Sequence, residues 1–245
     1  MHERKSKRSI MNLNRILEKQ KIYSQGKDKI DTVTLSSYEK DFELTFTHNS
    51  TAIEGNTLTL METKVVLEDG IAVGGKELRE IYEVVNHKKA YQYVKKCIAE
   101  GKVLDEHIVK DIHAILTENI IVGGIYRNQE VRISGAGHVP AVGNDMFIQI
   151  KNFYDDLGWK KNALNPVEYA AWTHAEFVRI HPFIDGNGRT SRLLMNYQLM
   201  SAGFLPVSIA KENRLDYYNA LEVYAVQGEL ERFTDLVAEL EEEQL

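Results

Sequence analysis

The sequence is poor in cysteine, in proline and in long apolar runs, and each scarcity excludes a class of protein. Only one of its 245 residues, Cys97, is a cysteine. No internal disulfide can form, so we expect a small core residue and a reducing, cytoplasmic location. With 4 prolines and 16 glycines, the composition is not that of a collagen or a low-complexity chain. No apolar run approaches the roughly 20 residues that a membrane helix needs, and none follows the basic start, so neither a membrane span nor a secretory signal is predicted.

Basic residues are also in the minority. The chain has 30 Lys and Arg against 36 Asp and Glu, and its formal net charge is −6. An extended nucleic-acid surface needs a clustered basic face, so this balance argues against one. The short acidic tail after Val226 carries no recognition helix, which argues against DNA binding as well. Any anionic ligand must therefore be bound by a few local positive groups.

Apolar residues recur at three and four positions along most of the chain, which is typical of amphipathic helices. We therefore predict a mainly α fold. Two parts are expected: an N-terminal helical region over residues 1–70 and a larger core with C-terminal helices over residues 71–245. The predicted helices span about 12–24, 35–52, 57–69, 76–99, 105–118, 145 onward, 165–180, 187–202, 211–226 and 229–243.

One segment departs from the helical period. Residues 129–134 alternate in polarity, and glycines border them on both sides. Alternation followed by Gly-Ala-Gly is typical of a short β-hairpin. Taken alone, the segment is better explained as a surface hairpin without a partner.

The most informative segment is the stretch His181 to Arg192, which reads HPFIDGNGRTSR. Pro182 ends the preceding helix, so His181 lies at a bend. Gly-Asn-Gly then leads into a new helix, whose free N-terminal amides and partial positive charge attract phosphate. The glycines allow the backbone to approach that anion closely. The segment is therefore predicted to bind a phosphate group beside a histidine.

Three charged residues complete this candidate site. Arg189 and Arg192 are three apart on one face of the new helix and can bind further phosphate oxygens. Asp185 supplies the hard oxygen ligand that Mg²⁺ prefers. A base, a metal ligand, an anion cradle and two arginines together indicate phosphoryl or nucleotidyl transfer. Each residue alone is more often structural, but the combination within twelve residues disfavours that interpretation.

This run resembles the signature of the Fic-domain proteins at every defining position. The helical pattern from about residue 76 to residue 226 is similar to the helical core of that family. The resemblance implies a helical Fic fold with a short β-hairpin flap over the active site. It also implies transfer of AMP from ATP to a Ser, Thr or Tyr hydroxyl of a target protein, or of the chain itself, with release of pyrophosphate.

The resemblance assigns a role to each residue of the motif. His181 would be the base that takes the hydroxyl proton, since its ordinary pKa of about 6.5 suits neutral pH. Asp185 would hold Mg²⁺. ATP would be bound by Gly186, Asn187 and Gly188 around the α-phosphate, by Arg189 and Arg192 at the β- and γ-phosphates, and by Tyr217 and Tyr218 at the nucleobase. The two tyrosines are also well placed to be core residues, and Ala225 stands where some relatives have Asn, so the base preference stays open.

The resemblance also gives the predicted hairpin a function. In the family, the exposed edge of the flap aligns a segment of the target by strand addition. The docking residues would be Glu130, Val131, Arg132, Ile133 and Ser134, which follow Tyr126 and Arg127.

A second motif, STAIEGN at residues 50–56, lies at the end of a predicted helix. Its composition alone describes a helix terminus followed by a glycine stop. It also resembles the inhibitory pattern of the Fic family, which implies an inhibitory helix N-terminal to the core in the same chain. Glu54 would pair with Arg192 and occupy the partner that the γ-phosphate needs. Ser50 would steady Glu54 through a hydrogen bond across one helical turn.

The sequence leaves three functions open. The first is an autoinhibited AMPylase, and the second is a de-AMPylase in which Glu54 orients a water. The third is a nucleotide-binding module with little turnover, against which the intact His181, Asp185 and Arg192 argue. Two arginines available for a triphosphate favour AMP from ATP over the other groups that related folds transfer. The exposed N-terminal region is compatible with a homodimer, and no pattern identifies the target protein.

Overall fold

The computed structural model of the chain describes residues 2–133 and 135–245, with side chains from residue 13 onward. This part of the chain is mainly helical, as predicted. Its α-helices are α1 (His2–Gly26), α2 (Thr32–Ile53), α3 (Leu60–Lys64), α4 (Leu78–Ala99), α5 (Glu106–Leu116), α6 (Gly143–Ala163), α7 (Pro166–Ile180), α8 (Asn187–Ser201), α9 (Arg214–Gln227) and α10 (Glu231–Gln244). Single turns of other helix types occupy Lys27–Lys29, Val65–Asp69 and Lys211–Asn213.

Local sequence explains both ends of α7. The Asn165 side chain accepts hydrogen bonds from the amides of Val167 and Glu168 at 3.0 Å each, and Glu168 accepts the Asn165 amide at 3.2 Å. This reciprocal cap, with Pro166 in the first helical position, satisfies amides that the helix leaves free. The helix ends at His181, because Pro182 follows and cannot continue it. The sequence therefore places the histidine at the C-terminal cap.

Helices α7 and α8 form the centre of the fold, where a short loop joins them. One hydrophobic cluster packs against this pair from α4, α5 and α6, and it includes Phe177, Phe183 and Leu194. A second cluster packs from α1, α9 and α10, and it includes Met195 and Phe233. Burial between two clusters makes the helix pair rigid and so positions the loop between its members.

The predicted β-hairpin is not found. No residue of the two described ranges lies in a β-strand, and Ser134 lies outside them. Residues 125–133 and 135–142 form an irregular segment, with one turn in which the Ala136 amide donates to the Ile133 carbonyl at 3.1 Å. Two strands alone are marginally stable and need a third strand or a covering surface. The segment bonds to the α7–α8 loop and to α9 instead of pairing with itself.

Two expectations from composition have structural counterparts. Cys97 is fully buried in the first hydrophobic cluster, where it packs as a small apolar side chain. Across the described residues, every helix is too short or too polar to span a bilayer.

Candidate active site

The two ring nitrogens of His181 have different surroundings. Its backbone is left-handed, with φ 53° and ψ 56°. Nδ1 lies 3.2 Å from the carbonyl oxygen of Val178, which can only accept, so Nδ1 carries the proton. Nε2 is then the nitrogen with the lone pair. Burial lowers the pKa of His181, so the neutral ring is the dominant form at pH 7.

The backbone around His181 is held by a buried arginine. Arg127 is 4% exposed, and its Nε donates to the His181 carbonyl at 2.7 Å. Its amide donates to the Pro182 carbonyl at 2.9 Å, and its Nη atoms reach the carbonyls of Gln129 and Ala141. Arg127 therefore ties the irregular 125–142 segment to the bend that carries His181.

The loop between α7 and α8 is held from two sides. The Asn187 side chain accepts from the Phe183 amide at 2.9 Å and donates to the Phe183 carbonyl at 2.8 Å. His113 of α5 accepts the Gly124 amide at Nδ1, so its Nε2 donates to the Asp185 carbonyl at 2.9 Å. Burial lowers the pKa of His113 to about 4, and the neutral ring stacks on Phe183. The side chain of Asn187 is thus engaged by the loop itself, which leaves backbone amides for a phosphate.

Four charged side chains, Arg79, Glu83, Asp185 and Arg189, form a closed charge ring beside this loop. Arg79 donates to Asp185 at 2.5 Å and to Glu83 at 3.2 Å. Arg189 lies 3.4 Å from Asp185 and 3.5 Å from Glu83. Although burial by itself would raise the pKa of Asp185, the Arg189 charge, the Gly186 amide and Arg79 hold it below its usual value. Asp185 is therefore a carboxylate at neutral pH.

Arg189 keeps hydrogen-bonding capacity in spite of these neighbours. Its side chain is 2% exposed. Its buried Nε makes no hydrogen bond to any described residue, and its Nη1 has only the 3.5 Å ion pair with Glu83. Buried guanidinium donors that lack a partner are costly. An anion at the N-terminus of α8 would satisfy them and would gain a charge-assisted contact.

Arg192 is fully engaged by residues of α2 and α9. Its Nη2 donates to the Glu54 carboxylate at 2.7 Å and to the Ser50 carbonyl at 2.7 Å. Its Nε donates to the Ser50 hydroxyl at 2.9 Å, and its Nη1 donates to the Tyr217 hydroxyl at 3.1 Å. The predicted partner of Glu54 is thus in contact with it, whereas Ser50 differs from expectation because its hydroxyl bonds Arg192 rather than Glu54.

The Glu54 carboxylate lies over the first turn of α8. A Cβ built on Gly188 would collide with it, so the absence of a side chain at position 188 is what lets Glu54 reach Arg192. The Glu54 side chain is 32% exposed, and that of Arg192 is 1% exposed. The ion pair therefore has one buried partner and one partner at the mouth of the site.

The two tyrosines predicted at the nucleobase have different environments. Tyr217 is 1% exposed, and its hydroxyl lies 3.0 Å from Nε2 of the buried His174. Tyr218 is 43% exposed, and its hydroxyl donates to the Ile53 carbonyl at the end of α2. Tyr217 is thus a core residue that supports Arg192, and Tyr218 is the member of the pair with an accessible ring.

The fit of this site to Mg²⁺ rests on one carboxylate. In residues 2–133 and 135–245, no group of three or more His, Cys, Asp or Glu side chains is arranged to hold a metal. The Asp185 side chain is 39% exposed and belongs to the turn that leads into α8. Mg²⁺ commonly takes one or two carboxylates and completes its shell with water and substrate phosphates, and the donor set here fits that pattern.

The family comparison agrees with this geometry. The model of the Fic/DOC family matches residues 103–199, which include α5, α6, α7 and most of α8. The match thus contains the entire 181–192 motif and the helices that position it. Residues 103–199 form a Fic domain. Ser50, Glu54, Arg79 and Glu83, which contact the motif, come from the chain before this Fic domain.

Curated relatives extend the likeness beyond the Fic domain. The chain is 38% identical over 201 residues to a protein adenylyltransferase Fic from Drosophila mojavensis, a match that covers 81% of this chain and 39% of that protein. It is 36% identical over 230 residues to a protein adenylyltransferase Fic from Aedes aegypti, which covers 90% of this chain and 46% of that protein. The chain thus spans less than half the length of these two relatives.

Solved structures of Fic proteins share the fold. Fic-1 from C. elegans superposes with a TM-score of 0.88 at 27% identity, over 98% of this chain and 71% of that one. A Fic domain containing signaling protein from Bacteroides thetaiotaomicron has a TM-score of 0.83 at 25% identity, over 94% of this chain and 92% of that one. The N-terminal helices and the Fic domain of this chain therefore occur together in known structures.

Sequence reasoning missed the side chains that hold the Fic motif from other helices. Arg79 and Glu83 are spaced four apart on α4, a spacing that normally marks a solvated surface pair. His113 lies on the apolar face of α5, where a lone histidine gives no functional signal. The sequence predicts Arg127 as part of the flap but gives no sign that it anchors His181.

The predicted docking residues follow Arg127, which bonds the carbonyls of His181 and Pro182, and those that the structure describes differ in exposure. Glu130 and Arg132 are exposed, and Val131 and Ile133 are half-buried. The following stretch is tied to α7 and α9: the ring of His138 bonds the Arg179 carbonyl at 2.9 Å, and the Gly137 amide donates to Glu222 at 2.8 Å.

Proposed function

We propose that this chain is a protein adenylyltransferase that transfers AMP from ATP to a Ser, Thr or Tyr hydroxyl of a target protein or of itself. The observation that carries the proposal is the neutral His181, whose Nε2 is free to accept a proton at the loop that leads into α8. The name shared by the Drosophila mojavensis and Aedes aegypti relatives, protein adenylyltransferase Fic, supports the same chemistry.

In the proposed reaction, the phosphates of ATP bind at the N-terminus of α8. The amides of residues 187 and 188 and the unpaired Nε of Arg189 neutralise their charge, while the Gly186 amide stays bonded to Asp185. The target hydroxyl oxygen attacks the α-phosphorus, and its proton passes to Nε2 of His181. The bond from the α-phosphorus to the bridging oxygen breaks, so AMP is joined to the target and pyrophosphate leaves.

We assign the metal contact to Asp185. Its carboxylate is ionised and partly exposed beside the phosphate site. Bound Mg²⁺ would supply charge neutralisation to the phosphates. The protein's own contribution is to hold Asp185 in place through the His113 contact to its carbonyl.

We further propose that the enzyme is autoinhibited by Glu54. Ser50, Glu54 and Tyr217 together occupy the guanidinium of Arg192, so the γ-phosphate has to displace Glu54 before it can pair with Arg192. If the locked arrangement is favoured by about 2.7 kcal/mol, about 1% of molecules are competent at any moment. Because Glu54 lies at the mouth of the site, it can move outward without opening the core.

The target is proposed to dock along residues 130–133. The segment is anchored through Arg127 next to His181, and an extended target strand beside it would bring a hydroxyl to Nε2. Exposed Glu130 and Arg132 would add charge selectivity for that strand.

A second candidate, removal of AMP from a modified protein, is favoured by the position of Glu54. Its carboxylate is partly exposed and lies over Gly188, where a water could be oriented toward a bound AMP group. An AMPylated protein incubated with wild type and with Glu54→Gly separates the two functions. Only a de-AMPylase loses hydrolysis when Glu54 is removed.

The deciding experiment uses ATP labelled at the α-phosphate, Mg²⁺, and either wild type or Glu54→Gly. Label on protein supports adenylyl transfer, and label from the γ-phosphate would instead indicate a kinase. Nucleotide binding without transfer by either protein would support the binding module.

A further inference from the structure

We propose that Arg79 is a built-in cation that competes with a divalent metal ion for the Asp185 carboxylate. The inference rests on the proposed function in one respect, the assignment of the metal to Asp185. Arg79 lies on α4, outside the Fic domain, and its Nη2 donates to Asp185 Oδ2 at 2.5 Å. A guanidinium in that position covers the oxygen that a metal would ligate.

The two cations on Asp185 differ in their freedom to leave. Arg189 faces Oδ1 at 3.4 Å and is 2% exposed, so it cannot withdraw from the carboxylate without disturbing the core. Arg79 faces Oδ2, and its side chain is 51% exposed. Arg79 can therefore rotate into solvent while Asp185 and Arg189 keep their positions.

Glu83 keeps the charges of the site paired when Arg79 leaves Asp185. It lies one helical turn after Arg79 and accepts from Arg79 Nε at 3.2 Å, so it aims Arg79 at Asp185. It also lies 3.5 Å from Arg189. When a metal ion takes the place of Arg79, Glu83 keeps Arg189 as a partner, and no buried charge is left alone.

The same glutamate reaches the inhibitory motif. Glu83 Oε2 accepts from Asn56 Nδ2 at 2.9 Å, and Asn56 follows Glu54 by two residues. Asn56 also donates to the Glu80 carbonyl at 3.0 Å. The charge ring and residues 54–56 are therefore connected through Glu83, which accepts from both Arg79 and Asn56.

The test measures binding of Mn²⁺ alone, as a spectroscopic stand-in for Mg²⁺, from the electron paramagnetic resonance signal of the free ion. Five proteins are compared without nucleotide: wild type, Arg79→Gln, Arg79→Lys, Lys89→Gln and the double variant Arg79→Gln with Asp185→Asn. Lys89 is a matched control, because it lies on α4, is 53% exposed and pairs with Glu118 away from the site. Thermal denaturation verifies that each variant is folded.

Arg79→Gln should lower the Mn²⁺ dissociation constant about fivefold. At 1.4 kcal/mol per tenfold, this change corresponds to about 1 kcal/mol, which is the upper end of what a half-exposed ion pair contributes. Lys89→Gln should change it less than twofold, and the double variant should lose the gain. Arg79→Lys, which keeps the charge, should stay near wild type.

The inference is overturned if Arg79→Gln binds Mn²⁺ no more tightly than wild type, or if the double variant keeps the gain. Failure of the proposed function would look different. In that case Glu54→Gly transfers no label from ATP, while the Mn²⁺ affinities still follow the presence of Arg79.

Discussion

The proposed inhibition by Glu54 predicts that its removal raises the rate of adenylyl transfer. Glu54→Gly deletes one charge-assisted hydrogen bond to Arg192, a contact of 2.7 Å. Such bonds contribute about 1.5–3 kcal/mol. Because Glu54 is one-third exposed, the lower half of that range applies, and about 2 kcal/mol corresponds to roughly a thirtyfold gain in competent molecules. Glu54→Gln, which keeps a neutral acceptor, should lie between the variant and wild type.

The assay is the initial rate of label incorporation from ATP labelled at the α-phosphate, with Mg²⁺ and saturating ATP. Glu43→Gln is the control, since Glu43 also lies on α2 and pairs with Lys88 and Lys95 away from the site. Arg192 keeps its bonds to Ser50 and Tyr217, so the variant should fold. Equal rates for wild type and Glu54→Gly would refute the inhibitory role of the ion pair.

Three further predictions concern His181 and a buried carboxyl. In the Glu54→Gly protein, His181→Ala should abolish transfer and leave binding of a fluorescent ATP analogue intact. The control His107→Ala, at an exposed position, should alter neither transfer nor binding. Loss of binding in His181→Ala would make His181 a structural residue. Because the base acts in its neutral form and burial lowers the pKa of His181 from its ordinary value of 6.5, the acid-side decline of transfer should have its midpoint below pH 6.5. A midpoint above pH 7 contradicts this. Burial raises the pKa of Glu241 to about 8, so its folded pKa exceeds the unfolded value and its protonated form contributes stability that is lost as the pH rises through 8. Between pH 6 and pH 9, the melting temperature of Glu241→Gln should therefore decrease less than that of wild type. Equal decreases would contradict the raised pKa of Glu241.

The local sequence predicted the helix boundaries around the motif well. Asn165, Pro166 and Glu168 cap α7, and Pro182 ends it, in the structure as in the prediction. These features are decided by neighbouring residues and backbone chemistry, so they can be inferred without knowledge of the fold. The predicted hairpin is not found, because a strand pair depends on what covers it.

The site partners were predicted unevenly for a similar reason. The contact between Glu54 and Arg192 was anticipated from a motif resemblance, but the bonds from Ser50 to Arg192 were not. Both oxygens of Ser50 accept hydrogen bonds from Arg192, 142 positions away in the chain. Nothing in the local pattern specifies that Arg192, rather than Glu54, is the partner of the Ser50 hydroxyl. Tyr217 likewise depends on packing, since burial against His174 makes it a core residue.

By itself, the sequence determined the helical class, the bend at His181 and the glycine-containing turn that leads into α8. Each follows from proline, glycine and capping residues that act within a few positions of one another. Only the tertiary structure decided that α4 supplies Arg79 and Glu83 to the site, that Arg127 anchors His181, and that α2 closes over Arg192. Those contacts join residues far apart in the chain, and their geometry is set by how α2, α4 and α8 pack.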